Sequence, residues 1–426
     1  MICRFKVENY KAFADEVEIN FYADMTIKRF EFNYLNIEQK NILKVAGFYG
    51  PNNTGKTCIL SALNDLSLVM LNKPHGNLIN VFANKGSVTN FSVEYVVDGR
   101  FYEYEVHYDN QNKKYIYERL IKKVYSDTNH SLFSTKQIAK RENNTLSFIN
   151  ISNYFKHMSG EMISKFFSLD FPIMLLMGNI PEKEIEEAAN DYKAFASSFV
   201  FLKMDDNIDL TKTISLLNSN EKARAFIVEF VKNCDLNIED FGSNETVKSD
   251  VNIEETLETA LKNPLFQKDT LKLFSVHNGF VVPSVFFDSV GTQKIVALSG
   301  YLYEAIHDGK ILLIDEIDSS LHHIITRSLV ALFNNMLNTK AQLLFTTQDA
   351  LLLDLQKLLR KDQVWFLDVE NKCSSKLVHM SERFSSREED GIRGDEYVVR
   401  YYLKGRFGSI PTPDLFSSLE IATSED

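Results

Sequence analysis

The chain has 426 residues, 44% of them hydrophobic and 25% charged, which allows a large buried core and two to three globular domains. Its net charge of −11 argues against a dedicated nucleic-acid binder, and the basic pairs at 113–114, 122–123 and 140–141 lie among acids, as solvated surface does. No apolar run nears the ~18 residues of a membrane span, the start MICRFKVENY lacks a signal-peptide pattern, and Cys3, Cys58, Cys234 and Cys373 lack metal or disulfide spacing, so a cytoplasmic protein with no membrane partner is expected.

Residues 2–24, ICRFKVENYKAFADEVEINFYAD, read as strands around a turn at ENYKAF. KVAGFY (44–49) is a strand, and the run after it carries Ile59, Leu60, Leu63, Leu66 and Met70 at helical spacing. Between them stands GPNNTGKT, residues 50–57, which matches G-x-x-x-x-G-K-[ST]. A loop of Gly50, Pro51, Asn52, Asn53, Thr54 and Gly55 at a strand–helix junction wraps phosphates with backbone N–H groups. Lys56 then neutralises the β- and γ-phosphates, Thr57 ligates Mg²⁺, and Cys58 completes the set as a small residue at the start of the helix.

Residues 87–125 read as a β-meander with a hairpin turn at Asp98–Gly99. From about 150 to 272 the pattern is helical, with PEKEIEEAANDYKAFASSFVFL (181–202) opening on proline and acids and SNEKARAFIVEFVKNCDL (219–236) resembling a capped helix. LKLFSVHNGFVVPSVFF (271–287) returns to strands around an Asn-Gly turn. FFDSVGTQKIVAL (286–298) reads as a strand, a turn and an apolar helix. Strand and helix then alternate: KILLIDE, a helix to about 338, AQLLFTT, a helix, and QVWFLDV, before a frayed tail at 417–426.

KILLIDE supplies the carboxylates that a phosphate loop needs. Ile311 to Ile314 form a buried strand ending in Asp315, suited to Mg²⁺, and Glu316, suited to polarising an attacking water. The turn with Ser289, Gly291 and Thr292 is either a further anion site at a helix N-terminus or an ordinary cap by Ser289. No [NT]KxD element reads guanine, since NKPH at 72 and NTKA at 338 lack the aspartate; ATP is therefore the expected nucleotide. The acids of FLDVENK (366–372) suit a nuclease metal, but only about 55 residues follow, too few for a TOPRIM domain. His322–His323 read as a polar helix cap facing a dimer interface, and His277 as structural. Tyr397, Arg400, Tyr401, Tyr402, Arg406 and Phe407 suit either a partner interface or a core helix followed by a glycine turn.

In order, ENYKAF, GPNNTGKT, SVGTQK and LLIDEIDSSLH resemble the N-terminal turn, Walker A, signature, Walker B and D-loop of an ABC-type ATPase head of the SMC/RecF/OLD group. The likeness covers residues 1–125 and 270–411 and is similar to bacterial ATPases encoded beside anti-phage effectors, including partners of RloB-type abortive-infection proteins. It implies an α/β P-loop NTPase of ABC/SMC-head type: a mixed β-sheet, a β-meander lobe and a helical insertion. The divisions would be 1–125 and 273–370 for the halves of the head, 126–272 for the insertion and 371–426 for a partner- or dimer-contacting extension. It further implies ATP and Mg²⁺ as ligands, Lys11 of ENYKAF as a nucleotide contact, Glu316 and Lys56 as catalytic groups, and Gln348 at the switch position. The signature of one subunit would cover the γ-phosphate held by the other in a head-to-tail dimer, or a higher multiple, that controls an effector from a neighbouring gene. Two positions depart from the group: Gln348 replaces the usual histidine, which predicts slow hydrolysis because an amide cannot take a proton, and Thr292 replaces a second glycine. No Q-loop glutamine is evident in the meander. A RecF-like DNA-binding repair ATPase and a nearly hydrolysis-dead scaffold are the alternatives; nucleic-acid contact is left open by the sequence.

Overall fold

The computed structural model describes residues 1–125, 132–142, 145–148, 156, 159–204, 208–234, 238–243, 273–371, 373–383, 398–405 and 407. Tyr397, Arg406, the tail 417–426, and parts of the helical insertion and of the extension lie outside the described residues.

Runs of apolar residues bounded by turns produce a six-stranded sheet, in the order Phe199–Lys203, Ile311–Asp315, Gln342–Thr347, Val45–Tyr49, Val364–Asn371 and Ser374–His379. The first five strands are parallel and the last is antiparallel. Such strands must be apolar on both faces because both are covered. Ala46, Phe48, Leu313 and Leu344 point to one core, while Val45, Tyr49, Leu312, Ile314, Leu343 and Phe345 point to another. The helix Lys56–Met70 fills the first core, and all five residues forecast for its apolar face are fully buried. Against its far side lies an antiparallel seven-stranded sheet, ordered Thr145–Phe148, Leu132–Glu142, Lys114–Tyr125, Arg100–Asp109, Val88–Val97, Ile2–Glu8 and Val17–Asn20. The hairpin at Asp98–Gly99 turns through left-handed backbone at both residues, φ 45° and 78°, as Asp-Gly sequences favour. Helices Val290–Asp308 and His323–Asn334 cover the second face of the parallel sheet through Leu298, Leu302, Leu329, Val330 and Phe333.

Several expectations are corrected. The apolar end of PEKEIEEAANDYKAFASSFVFL is not helix: the helix stops at Ala196, and Phe199–Lys203 is an edge strand paired with Ile311–Asp315. Its aromatic and branched residues continue the apolar count but belong to a strand. The meander does not end at 125, since Leu132–Glu142 and Thr145–Phe148 extend it into what reads as a helical insertion. After Thr347 there are two short 3₁₀ turns, Ala350–Leu352 and Lys361–Gln363, in place of a helix. Before the signature, Ser284–Phe287 is a short helix rather than a strand, and SVGTQK is the first turn of the next helix. Tyr402 and Phe407 are core residues: Tyr402 packs on Tyr49 and Phe366, Phe407 stacks on Phe366, and Gly405 turns at φ 72° between them.

Candidate functional site

Ligands of open parallel sheets bind beyond the carboxyl ends of the strands. Three adjacent strands deliver the forecast groups there. Residues 50–57 leave the end of Val45–Tyr49, Asp315 ends Ile311–Asp315, and Gln348 follows Gln342–Thr347, which lies between them. The loop is closely fitted. A Cβ at Gly50 would stand 2.6 Å from the Leu367 carbonyl oxygen. Gly55 caps the helix at φ 89°, and a Cβ there would meet the Ala12 methyl at 2.9 Å. The ENYKAF turn therefore braces the phosphate loop from behind.

Lys56 is buried, and its Nζ donates to the carbonyls of Gly50 at 2.7 Å and Pro51 at 2.8 Å. Burial pushes its ammonium below the usual lysine range, against the opposing pull of Glu316, Asp315 and Asp318. The carboxylates at and after the end of the Ile311–Asp315 strand thus act electrostatically on the loop lysine. Thr54 closes the loop by donating to Pro51 O at 2.8 Å. Thr57 follows Lys56 in the first helical turn, with Asn52 and Asn53 exposed above it. Cys58 is half-buried beside the Ala12 backbone, and burial raises its thiol pKa.

Asp315 accepts a 2.5 Å hydrogen bond on Oδ1 from Thr346, whose hydroxyl also accepts from the Glu316 N–H at 2.7 Å. Glu316 stands in left-handed backbone, φ 53°, which turns it out of the strand line. Gln348 donates from Nε2 to Asn52 Oδ1 at 2.8 Å, joining the switch position to the phosphate loop across 296 residues. Its backbone N–H donates to Asp318 at 3.4 Å. Thr346 and Asp318 are the residues that sequence reading did not single out, although both lie in stretches it quoted.

Lys11 and the signature turn are placed differently. Lys11 Nζ pairs with Asp65 at 3.0 Å, beside a 2.6 Å bond from Tyr10 OH to the same oxygen, in the third turn of the Lys56–Met70 helix. Ser289 caps its own helix, accepting from Thr292 N at 3.1 Å, with the two hydroxyls 2.9 Å apart. Gly291 faces the D-loop of the same chain, where a Cβ would meet Ser320 O at 3.0 Å. Buried Lys294 reaches Met204 O and, at 3.3 Å, Ser320 Oγ. The signature thus rests on its own D-loop, while the phosphate loop gathers the carboxylates and Gln348.

The family described as "AAA domain, putative AbiEii toxin, Type IV TA system" matches residues 45–354, a span that begins with the phosphate-loop strand and ends beyond Gln348. The chain belongs to that family. Among solved structures it is similar to an SMC head domain from Thermotoga maritima, at 11% identity and a TM-score of 0.41 over 89% of this chain and 98% of that one. An SMC head solved with the C-terminal winged-helix domain of ScpA gives 12% identity and a TM-score of 0.39, over 88% and 97%. No curated protein matches the chain. Among the described residues no helix is long and apolar enough to cross a membrane.

Proposed function

We propose that the chain binds and hydrolyses ATP and acts as a nucleotide-gated, head-to-tail dimeric switch on a partner effector, in the setting of anti-phage defence. The observation that carries the reading is the convergence of Lys56, Asp315, Glu316 and Gln348 on one loop at the ends of three adjacent strands. Thr57 and Asp315 would hold Mg²⁺. Among the described residues the second oxygen of Asp315 carries no hydrogen bond, and a hydroxyl with a carboxylate oxygen is the hard donor set that ion prefers. The ion would screen phosphate charge. Lys56 would bind the β- and γ-phosphates, the backbone N–H groups of 52–57 would orient them, and Glu316 would take a proton from the attacking water.

The head-to-tail arrangement explains why Ser289, Gly291 and Thr292 sit on the D-loop side of their own chain: their exposed helix N-terminus would meet the phosphate held by a second copy. A hydrolysis-poor scaffold is the second reading, favoured by the Gln348–Asn52 bond, since an amide at this place orients without accepting a proton. The deciding experiment measures ATP turnover and solution mass with and without ATP. Turnover with ATP-dependent dimerisation supports the switch; dimerisation without turnover supports the scaffold. A monomer that neither dimerises nor hydrolyses ATP would end both.

A further inference from the structure

The turn with Ser289, Gly291 and Thr292 is tied to the three-stranded sheet of Asp240–Ser243, Leu273–His277 and Phe280–Pro283 by a contact not used above. His277 Nε2 lies 2.8 Å from Asp288 Oδ1 and 3.1 Å from Ser275 Oγ. Asp288 immediately precedes Ser289. Its N–H donates to Ser284 O at 2.8 Å and its carbonyl accepts from Gln293 Nε2 at 3.1 Å, so its backbone is fixed on both sides. Its side chain is 1% exposed, and Oδ2 is buried without a hydrogen-bond partner among the described residues.

A buried carboxylate with one donor is costly, and removing that donor leaves a charge that neither water nor protein compensates. This charge lies at the mouth of a helix N-terminus. Such an end attracts a phosphate through its free N–H groups, and a bare carboxylate one residue before the cap opposes that attraction. The imidazole N–H of His277 is the group that offsets it. We propose that His277 is a positioning residue for ATP hydrolysis: by holding Asp288 it keeps the signature turn fit to receive the terminal phosphate bound by a second copy. The proposal rests on the reading that this turn closes a nucleotide across a dimer. It assigns the hairpin Leu273–His277 and Phe280–Pro283 an indirect hold on the catalytic cycle.

The test compares wild type, His277→Ala, Asp288→Asn and the double variant, each for Mg-ATP turnover, ATP affinity and ATP-dependent mass. His277→Ala is expected to lower turnover and dimerisation roughly 10- to 100-fold, the range for losing a hydrogen bond to a charged group, with ATP affinity of the monomer unchanged. Once Asp288→Asn removes the charge, the histidine should cease to matter: the double variant should fall within about threefold of Asp288→Asn, as an electrostatic role requires. A purely packing role would not produce that rescue. Should His277→Ala not fold, the comparison of Asp288→Asn with the double variant still decides. A tenfold gap between those two, or wild-type turnover in His277→Ala, overturns the proposal. Absence of ATP-dependent dimerisation in the wild type would instead remove the reading on which it rests.

Discussion

Thr346→Val tests how the carboxylates of the site are held. Valine keeps the shape of the side chain and deletes one hydroxyl, which in the native chain is fully buried and makes two hydrogen bonds. The bond to Asp315 Oδ1, at 2.5 Å, involves a charged acceptor and contributes about 1.5–3 kcal/mol; the bond from Glu316 N, at 2.7 Å, contributes about 0.5–1.5 kcal/mol. Together the loss comes to about 2–4 kcal/mol, and no water can enter to replace them at a fully buried site. Glu316 also loses the anchor of its left-handed backbone, a conformation that costs a non-glycine residue about 1–2 kcal/mol. Urea unfolding should therefore show a stability loss of about 2–4 kcal/mol. Turnover at saturating Mg-ATP should fall about 10- to 100-fold, while ATP affinity in excess EDTA changes by less than about threefold. Thr346→Ser, which keeps the hydroxyl, should restore most of both. Wild-type stability and turnover in Thr346→Val would refute this account of the site.

Lys56→Ala should weaken ATP binding by about 2–5 kcal/mol, the cost of truncating one side of a desolvated charge contact, as read by calorimetric titration. Glu316→Gln should keep ATP bound, lower turnover by roughly 10²–10⁴ and accumulate the dimer in a mass measurement; an unchanged monomer–dimer balance counts against the dimeric switch. Gly291→Arg should bind ATP and fail to turn it over, because a bulky cation would stand where the backbone of this turn must approach the γ-phosphate held by the second copy. Mixed with Lys56→Ala under conditions of proven subunit exchange, it should regain activity, since both defects then fall on one composite site. No regained turnover would mean that the sites work in strict concert or that the signature acts within its own chain, and a linked dimer carrying a single Lys56→Ala separates the two.

Much of the candidate site's local geometry was legible from short stretches because it is set within them. Two glycines, a lysine and a threonine in eight residues specify a strand–loop–helix junction whatever surrounds it, and four apolar residues before Asp315–Glu316 specify a buried strand with acids at its end. The apolar face of the Lys56–Met70 helix and the turns at Asp98–Gly99 and Asn278–Gly279 followed from periodicity and backbone chemistry in the same way. Phe199–Lys203 was not legible as a strand, since it adjoins a helical pattern and is defined by pairing with Ile311–Asp315, more than a hundred positions later. Tyr402 and Phe407 could have served a partner surface until their packing on Phe366 placed them in the core. The bonds of Thr346 to Asp315, Gln348 to Asn52 and His277 to Asp288 depend on which strands are neighbours and where the 273–283 hairpin packs. A side chain's type fixes what it can donate or accept; only the order of strands in the sheets and the docking of helices on them decide which distant group stands within hydrogen-bond reach.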